Sequence, residues 1–275
     1  MTLRLGDTPA RPLVRTLTQI GERLAGTMQK LASGLRIPSA AADPAGLAQS
    51  ERLRARIRSM DQARRNAHDG VSMVQVADNA LGVVADMLVR MREIAVQARN
   101  GTTATRDLGP LQTEYVALQD EITRITRATQ WNGQRLLDGT RRRIDLQVGT
   151  GTTAGVDTLQ FGIASLPATL NVAATNLRSQ ANAATAMNRL TLAIDRLSTM
   201  RGSLGAVQSR LQTTIANLAG QFEHASAAES RIRDVDTAVA TAELARQTIL
   251  QQATMGLLAQ ANAQPRAVLR LFDDP

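Results

Sequence analysis

Side chains able to do chemistry are few in this sequence, and they lie far apart. His68 stands beside Asp69, a pairing that acid–base work could use, but His224 is remote and no nucleophile motif accompanies either histidine. The residues around His68 read as a helix surface or a packing position. The adjacent carboxylates Asp120 and Glu121 read as the solvated flank of an apolar seam. No cysteine is present, which excludes disulfides, thiolate zinc sites and cysteine nucleophiles. Two histidines are too few for a multi-histidine metal site, and no HExxH pattern occurs. The expectation is a protein with no catalytic residues, no cofactor and no metal.

Arginine is the other conspicuous residue type. Basic residues outnumber acidic ones 32 to 24, giving a net charge of +8 and a pI near 11.3, and Lys30 is the only lysine. Arg52, Arg54, Arg56 and Arg58 invite a nucleic-acid reading. On a helix, however, every second residue turns by roughly 200°, so these charges spread around the axis instead of lining a groove. No aromatic residues interleave to stack on bases. The run reads as a solvated or interchain surface, with no nucleic acid and no membrane as partner. Arg141–Arg143 reads as an exposed turn, and Trp131 as an anchor for a hairpin packed on helices.

The elements that position these residues are mostly helical. Hydrophobic residues make up 43% of the 275, but aromatics only 2%, so the core must be aliphatic and alanine-rich. Leu13, Leu17, Ile20, Leu24, Met28, Leu31 and Leu35 recur at threes and fours. So do Leu81, Val84, Leu88, Met91 and Ala95, then Leu108, Leu111, Tyr115, Leu118, Ile122 and Ile125, then Met187 through Phe222. Such spacing predicts long helices packed nearly parallel. Helices over about 45–98 and 180–232 would each run roughly 80 Å at 1.5 Å per residue, which predicts an elongated bundle.

Breaks in the pattern have turn chemistry. Ile37-Pro38-Ser39 through Asp43-Pro44 separates the first helix from the second, with Asp43 as N-cap and Pro44 in the first turn. Asn100-Gly101 is expected to close the second helix in the left-handed manner. Asn132-Gly133 and Asp138-Gly139, followed by alternation at Ile144, Leu146, Val148 and Leu159, Phe161, Ile163, predict β-hairpins. A final helix over about 236–262 is expected to stop at Pro265, followed by a tail, Phe272-Asp273-Asp274-Pro275. The first twenty residues lack the apolar run of a cleaved signal peptide, and no 18 apolar residues run together, so no membrane span is expected. Each chain end supplies one amphipathic helix, which cannot bury its stripe alone.

Several local sequences resemble the bacterial flagellins. Ser33-Gly34-Leu35-Arg36-Ile37 and Ala45-Gly46-Leu47-Ala48 resemble the SGLRI and AGLAI segments, and Arg65-Asn66-Ala67-His68-Asp69-Gly70 resembles RNANDG. Met91 to Ala98 is similar to MRELAVQA, Trp131-Asn132-Gly133 with Leu136-Leu137-Asp138-Gly139 to FNG and LLDG, and Leu250 to Asn262 to the family's C-terminal end. The matches run in order over about four-fifths of the chain.

The resemblance implies a mainly α fold, an elongated antiparallel helical bundle or coiled-coil rod with a small β-hairpin region at about 130–165 and paired terminal helices. It implies an inner assembly domain from residues 1–44 with 236–275, an outer rod at 45–235, and no variable outer domain. The implied function is a structural subunit polymerising into the bacterial flagellar filament. The alternatives are the hook–filament junction protein of the same superfamily and a soluble coiled-coil binding protein. Polymerisation would use Leu13, Leu17, Ile20, Leu24, Leu31, Val239, Leu244, Ile249 and Leu257. Arg90, Glu93, Ile94 and Glu114 match positions of the site for Toll-like receptor five. Other implied partners are further copies of the chain, the flagellar export apparatus, an export chaperone, the filament cap and hook-junction proteins. The implied location is extracellular, reached by the flagellar type III route without a cleaved signal peptide.

Overall fold

The computed structural model describes residues 10–140 and 143–272. Arg141 and Arg142 of the arginine turn, the first nine residues and the tail from Asp273 lie outside them. Among the described residues six α-helices, one 3-10 turn and four short strands follow in order: α1 (Ala10–Ser33), α2 (Pro44–Arg99), the 3-10 turn (Thr105–Asp107), α3 (Leu108–Ala128), β1 (Gln130–Trp131), β2 (Gln134–Arg135), β3 (Ile144–Gln147), β4 (Thr158–Phe161), α4 (Leu166–Leu170), α5 (Gln180–Arg233) and α6 (Thr237–Phe272). The chain divides into two compact units, residues 1–55 with 224–275 and residues 56–223.

In the first unit α1 packs against α6. Gly34 takes φ +70, a conformation that only glycine adopts cheaply, and turns the chain out of α1. The helix therefore ends at Ser33, earlier than the Pro38 break suggests. Leu35 then bridges Asp234, with the Val235 N–H donating to the Gly34 carbonyl and the Arg36 N–H to that of Arg233. Because α1 arrives at this bridge and α6 leaves it, the two helices lie side by side and antiparallel. Lys30 sits in the last turn of α1, where the negative end of the helix dipole favours a cation. The expected cap of α2 is present: the Gly46 N–H donates to Asp43 Oδ1 at 2.9 Å. A Cβ on Gly46 would meet both that carboxylate and Ile37 Cδ1, the latter at 2.7 Å, so packing favours glycine at this position. The end of α5 is tied to the start of α2 by the ion pair Arg233–Glu51, and this hydrogen bond holds the Glu51 carboxyl below its usual range.

The second unit contains the main core. Val74, Ala77, Leu81, Val84, Leu88, Met91, Ala95 and Ala98 of α2 cluster with Leu190, Ala193, Leu197, Leu204 and Leu211 of α5. Each large aliphatic side chain buried this way stabilises by roughly 1.5–3 kcal/mol relative to exposure. Asp78 pairs with Arg201, and the Arg64 guanidinium lies 5.8 Å from the centre of the Phe222 ring, so here α2 and α5 run antiparallel. Among the described helices α2 alone is long and apolar enough by composition to cross a membrane; Val74, Leu81, Val84, Leu88 and Met91 of it line this core, while Val83, Val89 and Val96 are exposed.

α3 adds Tyr115 and Ile122 to the core, and Trp131 packs on its edge as a hairpin anchor. β1 and β2 pair across Asn132-Gly133, whose φ values of 47 and 74 are those of a two-residue type I′ turn. β3 and β4 pair antiparallel, with Ile144 opposite Phe161 and Leu146 opposite Leu159. Fully buried Tyr115 bonds Thr175 Oγ1 at 2.7 Å, and Gln119 donates to the Val172 carbonyl at 2.7 Å, fixing the connector into α5.

Two further expected element ends differ, and one short helix was not expected. Gly101 is not among the glycines with positive φ; α2 ends at Arg99, with the Asn100 N–H donating to the Gln97 carbonyl at 3.1 Å. Pro265 does not stop α6, which continues to Phe272. Proline removes one backbone donor, and the helix formers Arg266, Ala267, Leu269, Arg270 and Leu271 carry the ladder past it. The short α4, with Pro167 in its first turn, had no sequence signal beyond that proline.

Candidate functional site

Three surfaces collect the residues singled out by sequence. On α1, Leu13, Leu17, Ile20, Leu24 and Leu31 lie on the covered face, Ile20 buried and the others half-buried. The position between Leu24 and Leu31 is taken by Thr27, not Met28, which gives steps of 4, 3, 4, 3 and 4. The covered seam of α6 runs through Ala240, Leu244, Gln247, Gln251, Thr254, Leu258 and Ala261, a four-and-three alternation, with Glu243 and Thr248 half-buried at its edges. Both seams have the heptad spacing of a two-helix coiled coil.

The covered face of α6 is its small and polar one. Of the predicted α6 residues only Leu244 lies on it; Val239, Ile249 and Leu257 are 66%, 65% and 56% exposed, with Leu250 and Met255 exposed as well. α1 likewise keeps a second apolar stripe open at Val14, Ala25, Met28 and Ala32, with half-buried Gly21 in line. Gln247 is 5% exposed; its Nε2 donates to Glu243 Oε1 at 2.9 Å, while its Oε1 has no partner. A buried amide oxygen left unmatched costs about 1–3 kcal/mol. The heptad at Gln247 and Thr254 was readable from the spacing, but large apolar residues elsewhere on the helix outweighed it.

Arg90, Glu93 and Glu114 come together at the surface between α2 and α3. Arg90 donates to Glu114 Oε1 through Nε at 2.9 Å and Nη2 at 2.8 Å, and to Glu93 Oε2 at 3.0 Å. These bonds, that to Glu114 first, raise the guanidinium above its ordinary value. Ile94 does not join them, because it is buried in the core beneath. Solvent screens such exposed pairs, so they position the patch more than they stabilise the fold.

The third surface is where β3 crosses α2. Asn66 Nδ2 donates to the Gln147 carbonyl at 3.0 Å, and a Cβ on buried Gly70 would collide with Leu146 Cδ1. The Asn66-to-Gly70 segment is thus a landing site for the hairpin. His68 within it is exposed, in line with a surface role. Beyond the strands, Asp157 gathers the loop by accepting from the N–H groups of Gly151 at 2.9 Å and Thr153 at 3.0 Å. Arg143 is exposed and pairs with Asp145. Among the described residues no group of three or more potential ligands could hold a metal.

Comparison with known proteins places these surfaces in a family. The family described as "Bacterial flagellin N-terminal helical region" matches residues 8–142, and "Bacterial flagellin C-terminal helical region" matches residues 187–272. A flagellin of Halalkalibacterium halodurans is 46% identical over 247 residues, covering 89% of this chain and 90% of that protein. The flagellar filament 33 kDa core protein of Treponema phagedenis is 35% identical, covering 94% and 95% respectively. The crystal structure of Bacillus cereus flagellin superposes with a TM-score of 0.51 at 34% identity, over 56% of this chain and 88% of that one.

Proposed function

The chain belongs to the bacterial flagellins and is a structural subunit of the flagellar filament, and on that premise we propose that the outward faces of α1 and α6 drive its polymerisation. The family is structural, and the filament is an extracellular appendage. In this reading residues 1–44 with 236–275 form the inner assembly domain and residues 45–235 the outer rod. The supporting observation is that α6 keeps Val239, Ile249 and Leu257 in solvent after pairing with α1. Burying these faces against neighbouring copies contributes about 25 cal/mol per Å² of apolar surface removed from water. The heptad residues Leu13, Leu17, Ile20, Leu24, Leu31 and Leu244 hold the pair that presents them.

The subunit reaches the filament tip through the flagellar type III apparatus, with an export chaperone before it and the cap and hook-junction proteins around it. The absence of cysteine leaves the chain uncrosslinked for that passage. The Arg90–Glu93–Glu114 patch is the contact for Toll-like receptor five, with Ile94 shaping it from below; a receptor reporter assay on the monomer with Glu114→Arg tests this, and an unchanged response removes the patch.

Deleting residues 236–275 is the direct test of the assembly reading. The truncated protein should remain helical but form no filaments by electron microscopy after seeding, because α1 loses the helix its stripe requires. Filaments of normal diameter from that protein would end the assignment.

A further inference from the structure

We propose that Met28 and Met255 are oxidation sites whose conversion to the sulfoxide switches the subunit out of its polymerising form. The inference rests on the assembly reading above. Among the described methionines, Met60, Met73, Met91 and Met200 are buried, and Met87 and Met187 are half-buried. Only Met28, 53% exposed, and Met255, 47% exposed, offer their thioethers to solvent. Both belong to the terminal pair. Met28 lies on the open stripe of α1 with Val14 and Ala25, and Met255 is exposed on α6, flanking the covered Thr254 position on the side opposite Leu257.

A peroxide is the oxidant in this scheme. Its terminal oxygen is transferred to the thioether sulfur, the O–O bond breaks, the sulfur loses two electrons and the peroxide is reduced to water. An apolar, adaptable side chain becomes a polar and chiral one. In the free subunit this costs little, since the group stays in water. On a face that must be dried against another copy, the sulfoxide oxygen loses its hydration without a matched donor. The modification therefore acts on assembly and leaves the fold in place. It is reversible by methionine sulfoxide reductases, one for each epimer.

Mild hydrogen peroxide on the full-length monomer, followed by peptide mapping, reads the sites. Met28 and Met255 should oxidise at least about tenfold faster than Met60 and Met91, with the circular dichroism spectrum unchanged. The oxidised monomer should need an about tenfold higher concentration to polymerise, and reductase treatment should restore it. M28L/M255L should polymerise like the parent and keep doing so after peroxide. Polymerisation of the oxidised parent at its original concentration would overturn the switch. So would equal loss in M28L/M255L. Intact filaments distinguish this failure from failure of the assembly reading. If both methionines oxidise in filaments as fast as in monomer, those faces are not buried between copies and the assembly reading falls. If they are protected while the oxidised monomer still assembles normally, only the switch is lost.

Discussion

Tyr115 concentrates several demands in one side chain. Its ring is buried in the core of the second unit, while its hydroxyl must find Thr175 and share it with Gln119. Burial pushes its ionisation above the ordinary 10.0, outweighing the hydrogen bond to Thr175 that acts the other way. The folded state thus holds the phenol proton more tightly than the unfolded state. Stability from this group is complete below pH 10 and is lost as pH rises from there through the higher folded value. Tyr115→Phe should cost about 1 kcal/mol at pH 7 through the lost hydrogen bond. The deficit should shrink above pH 10, because phenylalanine has no proton to lose. Urea unfolding of both proteins at the two pH values measures the difference, and Tyr115 is the chain's only tyrosine, so nothing else of its type titrates. Gly70 makes a contrasting point. A mid-helix glycine weakens a helix by roughly 1 kcal/mol relative to alanine, yet here only glycine leaves room for Leu146.

Helices legible from sequence were those whose buried face carries most of their large apolar side chains. α2 and α5 meet that condition, and their extents were expected to within two residues. The hairpins were legible because Asn132-Gly133 and the alternation at Ile144, Leu146 and Val148 carry turn and strand geometry locally. α6 fails the condition. It has two faces to satisfy, and the one covered within the chain is lined by Gln247, Gln251 and Thr254, while Val239, Ile249 and Leu257 point away. A stripe chosen by residue size finds the second face and misses the first. Pro265 misled because proline permits a helix end without requiring one, whereas Asn100-Gly101 follows the end of α2 as expected and differs only in lacking the left-handed conformation. The polar seam has a measurable consequence. Gln247→Leu removes the unmatched amide oxygen and should stabilise the α1–α6 pair by about 1 kcal/mol. Slower amide exchange across Ala10–Ser33 and the first turns of α6 would register it; faster exchange would mean that Gln247 holds the pair together.

Across the whole molecule the governing quantity is charge. A subunit carrying +8 repels its copies as they approach, and the repulsion is screened over about 30 Å at 0.01 M salt but only about 8 Å at 0.15 M. The concentration needed to polymerise should therefore fall as salt rises over that range. It should stay nearly constant from pH 7 to about pH 9.5, because almost every cation is an arginine, which keeps its proton throughout. Light scattering across a salt and pH grid measures both, and a threshold indifferent to salt would show that apolar burial alone sets it. Arginine in place of lysine also decides which reagents can find the protein. Aldehydes and activated esters seek amines, and Lys30, half-buried in the last turn of α1, is the only lysine side chain in each subunit. A filament of this chain would take up amine-reactive dye sparsely and resist aldehyde fixation, however densely its surface is charged.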